Sequence, residues 1–185
     1  MIGVTTDMQH GLTAEDVRQC GFTMARFVLR WSEDPSEFLR ACYARGIKTI
    51  GVWTWEALAP DADNGGSAAQ WAQWLGEQDL WKTLTYVQIE NEVDLHQWEQ
   101  STYNFLVTEV APHFHEHCLT LTSGLASGNP DWLDGVDLSL LDLIAIHPYG
   151  RWPDGDRIWR EEYTEWGSPV AVSYTHLTLP TILRV

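Results

Sequence analysis

Residues 84–94 read Leu84-Thr85-Tyr86-Val87-Gln88-Ile89-Glu90-Asn91-Glu92-Val93-Asp94. The apolar, β-branched run predicts a buried strand over 84–91. Strand alternation places Gln88, Glu90 and Glu92 on one face. An ionised carboxylate on a buried face is costly unless it is paired or in use. The two glutamates therefore mark either a solvent-facing strand or a working site, and a helix-covered parallel strand suits the first reading badly. If they share a cleft, their mutual repulsion raises at least one pKa, which a general acid needs near neutral pH.

Outward from this stretch the same kind of strand recurs. Short apolar runs at 2–6, 23–30, 47–54, 119–123, 142–147 and 169–173 bring the expected strands to seven. Between them lie helical patterns at 13–20, opened by Thr13; at 35–45, with Pro35 at its first position and Gly46 past its end; at 67–80, opened by Ser67; at 97–111; and at 156–164. Strand and helix in alternation predict a parallel sheet with right-handed crossovers. Two arrangements accept that order, an open doubly wound sheet and a (β/α)8 TIM barrel. The first strand-to-helix turn, Asp7-Met8-Gln9-His10-Gly11, lacks a glycine-rich dinucleotide fingerprint, and no phosphate-binding P-loop occurs elsewhere. Polar and aromatic residues instead follow several different strands, at Trp31, Trp53, Trp55, Asn91, Glu92, His147 and Tyr149. That distribution is the barrel habit, so the expectation is an α/β TIM barrel, incomplete, with about seven βα units.

Composition narrows the function. The chain has 185 residues with 26 acids against 11 bases, a formal charge of −15. No surplus of Lys and Arg is available to neutralise phosphates, so the expectation is no nucleic-acid partner and no anionic membrane surface. No run approaches the ~18 apolar residues of a membrane span, and the first residues show no basic leader or cleavage site. Eleven Trp against five Phe supplies broad indole faces of the kind that stack on sugar rings, although Trp also fills cores. Cys20, Cys42 and Cys118 are widely spaced and odd in number, which predicts buried free thiols rather than disulfides or a zinc site.

At this point the residues carry a family likeness. Asn91-Glu92 at the end of a fourth strand, followed by His147-Pro148-Tyr149 at the end of a sixth, resembles the retaining glycoside hydrolases of clan A, the cellulase-like members above all. The resemblance implies Glu92 as acid/base, Asn91 as the residue holding the sugar 2-hydroxyl, and His147 and Tyr149 as a pair lining the glycone site. Ala25-Arg26-Phe27-Val28-Leu29-Arg30-Trp31 is similar to the second-strand motif whose arginine orients the nucleophile. Arg26 is the better match and Arg30 the competitor. The implied substrate is an oligosaccharide or glycoside with a β-linked sugar; no cofactor and no metal are implied.

In that mechanism two carboxyl groups stand about 5–5.5 Å apart, one attacking the anomeric carbon and the other serving as acid and then base. Gly167-Ser168-Pro169-Val170-Ala171-Val172 resembles the lead-in to the nucleophile, after which Thr-Glu is expected; Ser173-Tyr174 stands there instead. All 26 acids lie at or before Glu165, and residues 173–185 resemble a translated sequencing-adaptor tail. The expectation is a truncated barrel domain over 1–172, a non-native-looking tail over 173–185, and a chain that is itself inactive for want of the nucleophile. An unclosed barrel leaves strand edges unpaired, so poor solubility is also expected.

The remaining features have plainer readings. Trp71, Trp74 and Leu75 fall at helical spacing and read as core. Trp53 and Trp55 share a strand face and divide between sugar stacking and rim packing. Trp152 and Trp159 follow the His-Pro-Tyr segment, where they could wall a subsite. His113, His115 and His117 read as a cap on the end of helix 97–111 rather than a metal set. Two other classes stay open: a metal-dependent isomerase- or endonuclease-like barrel drawing on Glu92, Asp142 and His147, and a non-catalytic carbohydrate-binding barrel.

Overall fold

The computed structural model describes residues 3–5, 13–126, 130–146 and 170–172. Seven strands run through them: β1 (Gly3–Thr5), β2 (Met24–Val28), β3 (Lys48–Trp53), β4 (Tyr86–Ile89), β5 (Leu119–Leu121), β6 (Ile144–Ile146) and β7 (Val170–Val172). Strands β1 to β5 form one parallel sheet in chain order, and β6 pairs with β7 in parallel. A bridge from Leu121 to Leu143, with the Thr122 N–H donating to the Leu143 carbonyl, stitches β5 to the start of β6. Consecutive order without a reversal is not the doubly wound arrangement, in which strand order turns back at a switch point. The fold is α/β with a parallel sheet, and each expected strand is present.

Among the described residues four α-helices make the crossovers, α1 (Ala14–Gln19), α2 (Ser36–Ala44), α3 (Asn64–Glu77) and α4 (Gln100–Val110), while the helix expected at 156–164 lies outside them. Thr13 caps α1 as its sequence predicts, its hydroxyl accepting from the Asp16 N–H while the Asp16 carboxylate accepts from the Thr13 N–H. Pro35 is the N-cap of α2, one position earlier than expected. Gly46 takes φ +68° just past its end, the left-handed conformation that a glycine stop supplies. Helix α3 departs most. Asp63, not Ser67, opens it by accepting from the Gly66 N–H at 2.7 Å, and Ser67 is buried with its hydroxyl accepting from the Ala59 N–H at 2.9 Å. Asn64-Gly65-Gly66 is poor helix sequence, but α4 comes close there: a β-carbon on Gly65 would sit 2.7 Å from the Glu109 carboxylate. Tertiary packing overrides propensity. Helix α4 starts three residues later than expected because Gln97 takes φ +56°.

Strand register separates two faces. Phe27, Leu29, Trp53, Val87 and Ile89 join Leu39, Trp71, Leu75 and Val107 in one core between sheet and helices. Ala25 joins Ala14, Val17, Cys42 and Ile47 in a smaller core under α1 and α2. The alternate positions Arg26, Ile50, Val52, Gln88 and Leu121 belong to neither helix-side core and are nevertheless buried. Both faces of the sheet are thus dry, as parallel sheets require, and the face away from the helices holds an arginine and a glutamine. Trp71 and Leu75 are core residues as expected, with Trp31, Trp71 and Trp74 stacked edge to face in a row. Cys42 and Cys118 are buried, and burial pushes their thiols up to about 11 and about 12; Cys20 is exposed, contrary to expectation, because α1 ends at the surface there.

Leu75→Ala, which empties a fully buried position, is expected to cost about 2–5 kcal/mol in urea unfolding, against roughly 0.5 kcal/mol or less for Tyr43→Ala on the exposed side of α2.

Candidate active site

The chemistry-bearing residues converge where β4 leaves the sheet. Arg26, only 6% exposed on β2, donates from Nε to the Gln88 Oε1 at 3.1 Å and from Nη2 to the Asn91 Oδ1 at 2.6 Å. Gln88 in turn donates to the Glu90 carbonyl at 2.8 Å. A guanidinium only donates, so it fixes which end of the Asn91 amide faces it and leaves the Asn91 Nδ2 to donate elsewhere. Arg30, the competitor, is committed to the loops, paired with Glu56 and, at 3.7 Å, with Glu33. The structure therefore brings Arg26, not Arg30, to Asn91.

Glu92 follows directly and is 8% exposed. Strand alternation does not carry through to it. Strand β4 ends at Ile89, and both Glu90 and Glu92 take left-handed backbone, φ +63° and +54°. Such angles are uncommon away from glycine and concentrate at functional sites. The turn is held from several sides. Asn91 bridges to Gly124, and the Val93 N–H donates to the Ser123 hydroxyl at 3.2 Å. The Glu92 carbonyl accepts from the N–H groups of Leu95 and His96. Tyr103 of α4 is fully buried beneath, donating to the Ile89 carbonyl at 3.1 Å and accepting from the Ser123 N–H. No local sequence pattern points to Tyr103, since its role exists only once α4 packs behind the ends of β4 and β5.

Glu90 is a half-buried carboxyl in this turn. Burial pushes its carboxyl up to about 7, opposed first by the Asn91 N–H, which donates to its Oε2 at 3.1 Å, and less by the backbone at Trp55. The sequence suggests repulsion between Glu90 and Glu92, which would raise at least one of them; for Glu90 the leading cause is desolvation. The signal for Glu90 and Gln88 was their alternate spacing along the strand with Glu92, although neither stood among the expected site residues.

The two tryptophans after β3 part company. Trp53 is fully buried on the helix side, its ring 5.9 Å from that of Phe114, and its indole N–H has no partner among the described residues. It is a core residue, not a sugar platform, because its register partner Ile89 also faces the helices. Thr54 then caps a single 3-10 turn, Trp55–Ala57, which breaks the strand alternation and swings Trp55 out to 75% exposure. His147, Tyr149, Trp152 and Trp159 lie outside the described residues.

The metal-binding alternative loses a member. The Asp142 carboxylate accepts from the Thr120 N–H at 2.7 Å, with His115 3.4 Å away, at the start of β6 and so at the opposite end of the strands from Glu92. Among the described residues no group of three His, Cys, Asp or Glu side chains could hold a metal ion, and no helix is long and apolar enough to cross a membrane. The histidine trio does not cap α4. The α4 cap is backbone only, Ala111 N–H to Val107 carbonyl, while His117 stacks on Trp81 at 4.1 Å between ring centroids.

Glu90→Gln tests this half-buried carboxyl. A folded-state pKa raised from 4.5 to about 7 means that the folded protein holds this proton more tightly, so its stabilising effect is complete below about pH 4.5 and is lost as pH rises through about 7. Chemical denaturation of wild type, relative to the variant, is expected to lose up to about 3 kcal/mol between those limits; a pH-independent difference would contradict the assignment.

No family model matches the chain and no curated protein matches it in sequence. Solved structures do. A family 39 glycoside hydrolase from the gut symbiont Bacteroides cellulosilyticus superposes with a TM-score of 0.60 at 20% identity, over 80% of this chain and 38% of that one. A family 30 subfamily 8 xylanase from Clostridium acetobutylicum gives 0.63 at 14%, over 91% and 54%. A β-glucuronidase from Parabacteroides merdae gives 0.61 at 13%, over 91% and 23%. The chain thus spans about half or less of the length of these proteins. What is shared at such identities is the fold, a parallel α/β architecture of the kind that glycoside hydrolases use.

Proposed function

We propose that this chain is most of the barrel of a retaining glycoside hydrolase acting on a β-linked sugar, with Glu92 as its acid/base. The observation that supports this best is the network from buried Arg26 and Gln88 to half-buried Asn91, ending beside the buried Glu92 at the exit of a parallel strand. A dry sheet face lined by Arg26 and Gln88 is what the interior of a curling barrel would present. Barrel enzymes place their chemistry at this end of the strands.

In the proposed reaction a carboxylate attacks the anomeric carbon while Glu92 gives its proton to the departing oxygen, leaving a glycosyl ester. Glu92 then takes a proton from water, whose oxygen bonds to the anomeric carbon and releases the nucleophile. Asn91, with its Nδ2 turned away from Arg26, donates to the sugar 2-hydroxyl. His147 and Tyr149 line the glycone site, and the exposed Trp55 offers an indole face for a neighbouring sugar ring. The nucleophile belongs directly after Val172, where Ser173-Tyr174 offers no carboxylate. Residues 1–172 are then the barrel portion, residues 173–185 a foreign tail, and the chain itself inactive. A purely sugar-binding role is the second reading, favoured by that missing carboxylate together with the 75% exposure of Trp55.

The test is a chain continued past Val172 with a carboxylate restored. There Glu92→Gln is expected to slow hydrolysis of glycosides with poor leaving groups by about 10²–10⁴ while sparing activated aryl glycosides. Equal loss on both would remove Glu92 from the acid role. Oligosaccharide binding without turnover in the restored chain would favour the second reading.

A further inference from the structure

We propose that Arg30 is a positioning residue: paired with Glu56 and Glu33, it clamps the turn after β3 to the loop after β2 and so presents the Trp55 indole as a preformed stacking face for an uncharged pyranose ring. The ligand half rests on the glycoside reading; the clamp does not. Three ties reach the turn Trp55–Ala57 from other elements. The Arg30 Nε donates to the Glu56 carboxylate. The next residue, Trp31, donates its N–H to the Glu56 carbonyl at 2.9 Å. From α3 the Trp71 indole N–H donates to the Ala57 carbonyl at 2.9 Å, and Trp31 packs edge to face on Trp71. Inside the turn the Thr54 hydroxyl accepts from the Glu56 N–H at 3.2 Å, and the Thr54 carbonyl from the Ala57 N–H at 2.9 Å. Just before it the Glu90 N–H donates to the Trp53 carbonyl at 2.8 Å, which joins the clamped segment to the strand end that leads to Glu92.

The backbone around Trp55 is thus held while its side chain stands 75% exposed. An indole on fixed backbone loses little freedom when a ring lands on it, which is what a stacking face requires. An ion pair with Arg30 only 14% exposed adds little net stability; what a guanidinium adds is direction, through its planar fork. Charge then selects the ring. One guanidinium faces two carboxylates, with Glu33 at 3.7 Å, and both Glu33 oxygens are buried without a hydrogen-bond partner among the described residues. The cluster beside Trp55 has a surplus of negative charge, in a chain of formal charge −15. A uronate carboxylate is repelled there, and a neutral ring is not.

Amide hydrogen exchange and the heteronuclear NOE of the Trp55 indole, measured on the full chain, test the clamp. In Arg30→Met the Trp31 amide is expected to exchange roughly tenfold faster and the Trp55 indole to gain motion, while the Val93 amide, held by Ser123, keeps its rate. Glu56→Ala gives the same result, the double variant adds nothing further, and Glu56→Ala decides if Arg30→Met does not fold. Unchanged Trp31 exchange, or equal loosening of Val93, overturns the clamp. Calorimetric titration with cellohexaose and with the matching β-1,4-linked hexaglucuronate tests the ring. The neutral oligosaccharide is expected to bind roughly tenfold more tightly, with the gap narrowing in high salt, and Trp55→Ala and Arg30→Met each to weaken it roughly tenfold. Equal binding of the two oligosaccharides overturns the choice of ring, and cellohexaose binding unaltered by Trp55→Ala overturns the stacking face; both leave the glycoside reading in place. No binding by the wild type overturns the stacking face and counts against the glycoside reading itself, and the exchange result alone then judges the clamp.

Discussion

A guanidinium buried inside a parallel sheet has to be answered by acceptors, and the residues that answer Arg26 organise the rest of this site. A cation taken from water loses several kcal/mol of hydration unless hydrogen bonds replace it. Gln88 and Asn91 supply two of the acceptors. Gln88 is drawn into the fully buried face of β4, and Asn91 is turned inward at the strand end, which leaves Glu92 next in line. The same bonds orient both amides. Without Arg26, Gln88 and the half-buried Asn91 would each lose the partner that fixes their amides, and the turn between β4 and α4 would lose its inner anchor.

The outer anchor is a set of neutral groups. Tyr103 holds the ends of β4 and β5 together from behind, and Ser123 holds Val93. Two residues with left-handed backbone therefore sit between an ionic network on one side and a buried phenol on the other. Strained backbone persists where its surroundings over-determine it, and here they do so from both faces of the sheet. The backbone of the turn that carries Glu92 therefore owes little to the mobility of a loop.

Much of this was legible in the residues. The strand and helix alternation predicted each strand, because buried parallel strands must be short and apolar and their crossovers must be amphipathic. Arg26 and Asn91 emerged together from motif order. Other features escaped for definite reasons. Trp53 and Trp55 look alike in sequence, yet one residue of 3-10 turn after Thr54 separates core from surface. The opening of α3 was misplaced because Asn64-Gly65-Gly66 disfavours a helix in isolation, whereas the Asp63 cap and packing against α4 hold it in the fold. Tyr103 carried no signal at all, since a phenol on a helix acquires a role only from what lies across from it.

The sequence by itself determined the order of elements, the parallel architecture and the identity of the polar residues at the strand ends, because these follow from local periodicity and from the cost of burying charge. Tertiary structure alone decided which arginine reaches Asn91, which tryptophan is open to solvent, and why a carboxyl at the end of β4 titrates near neutrality. The last is a matter of desolvation: sequence displays two acids two residues apart and suggests repulsion, but how much water each retains depends on everything packed around it.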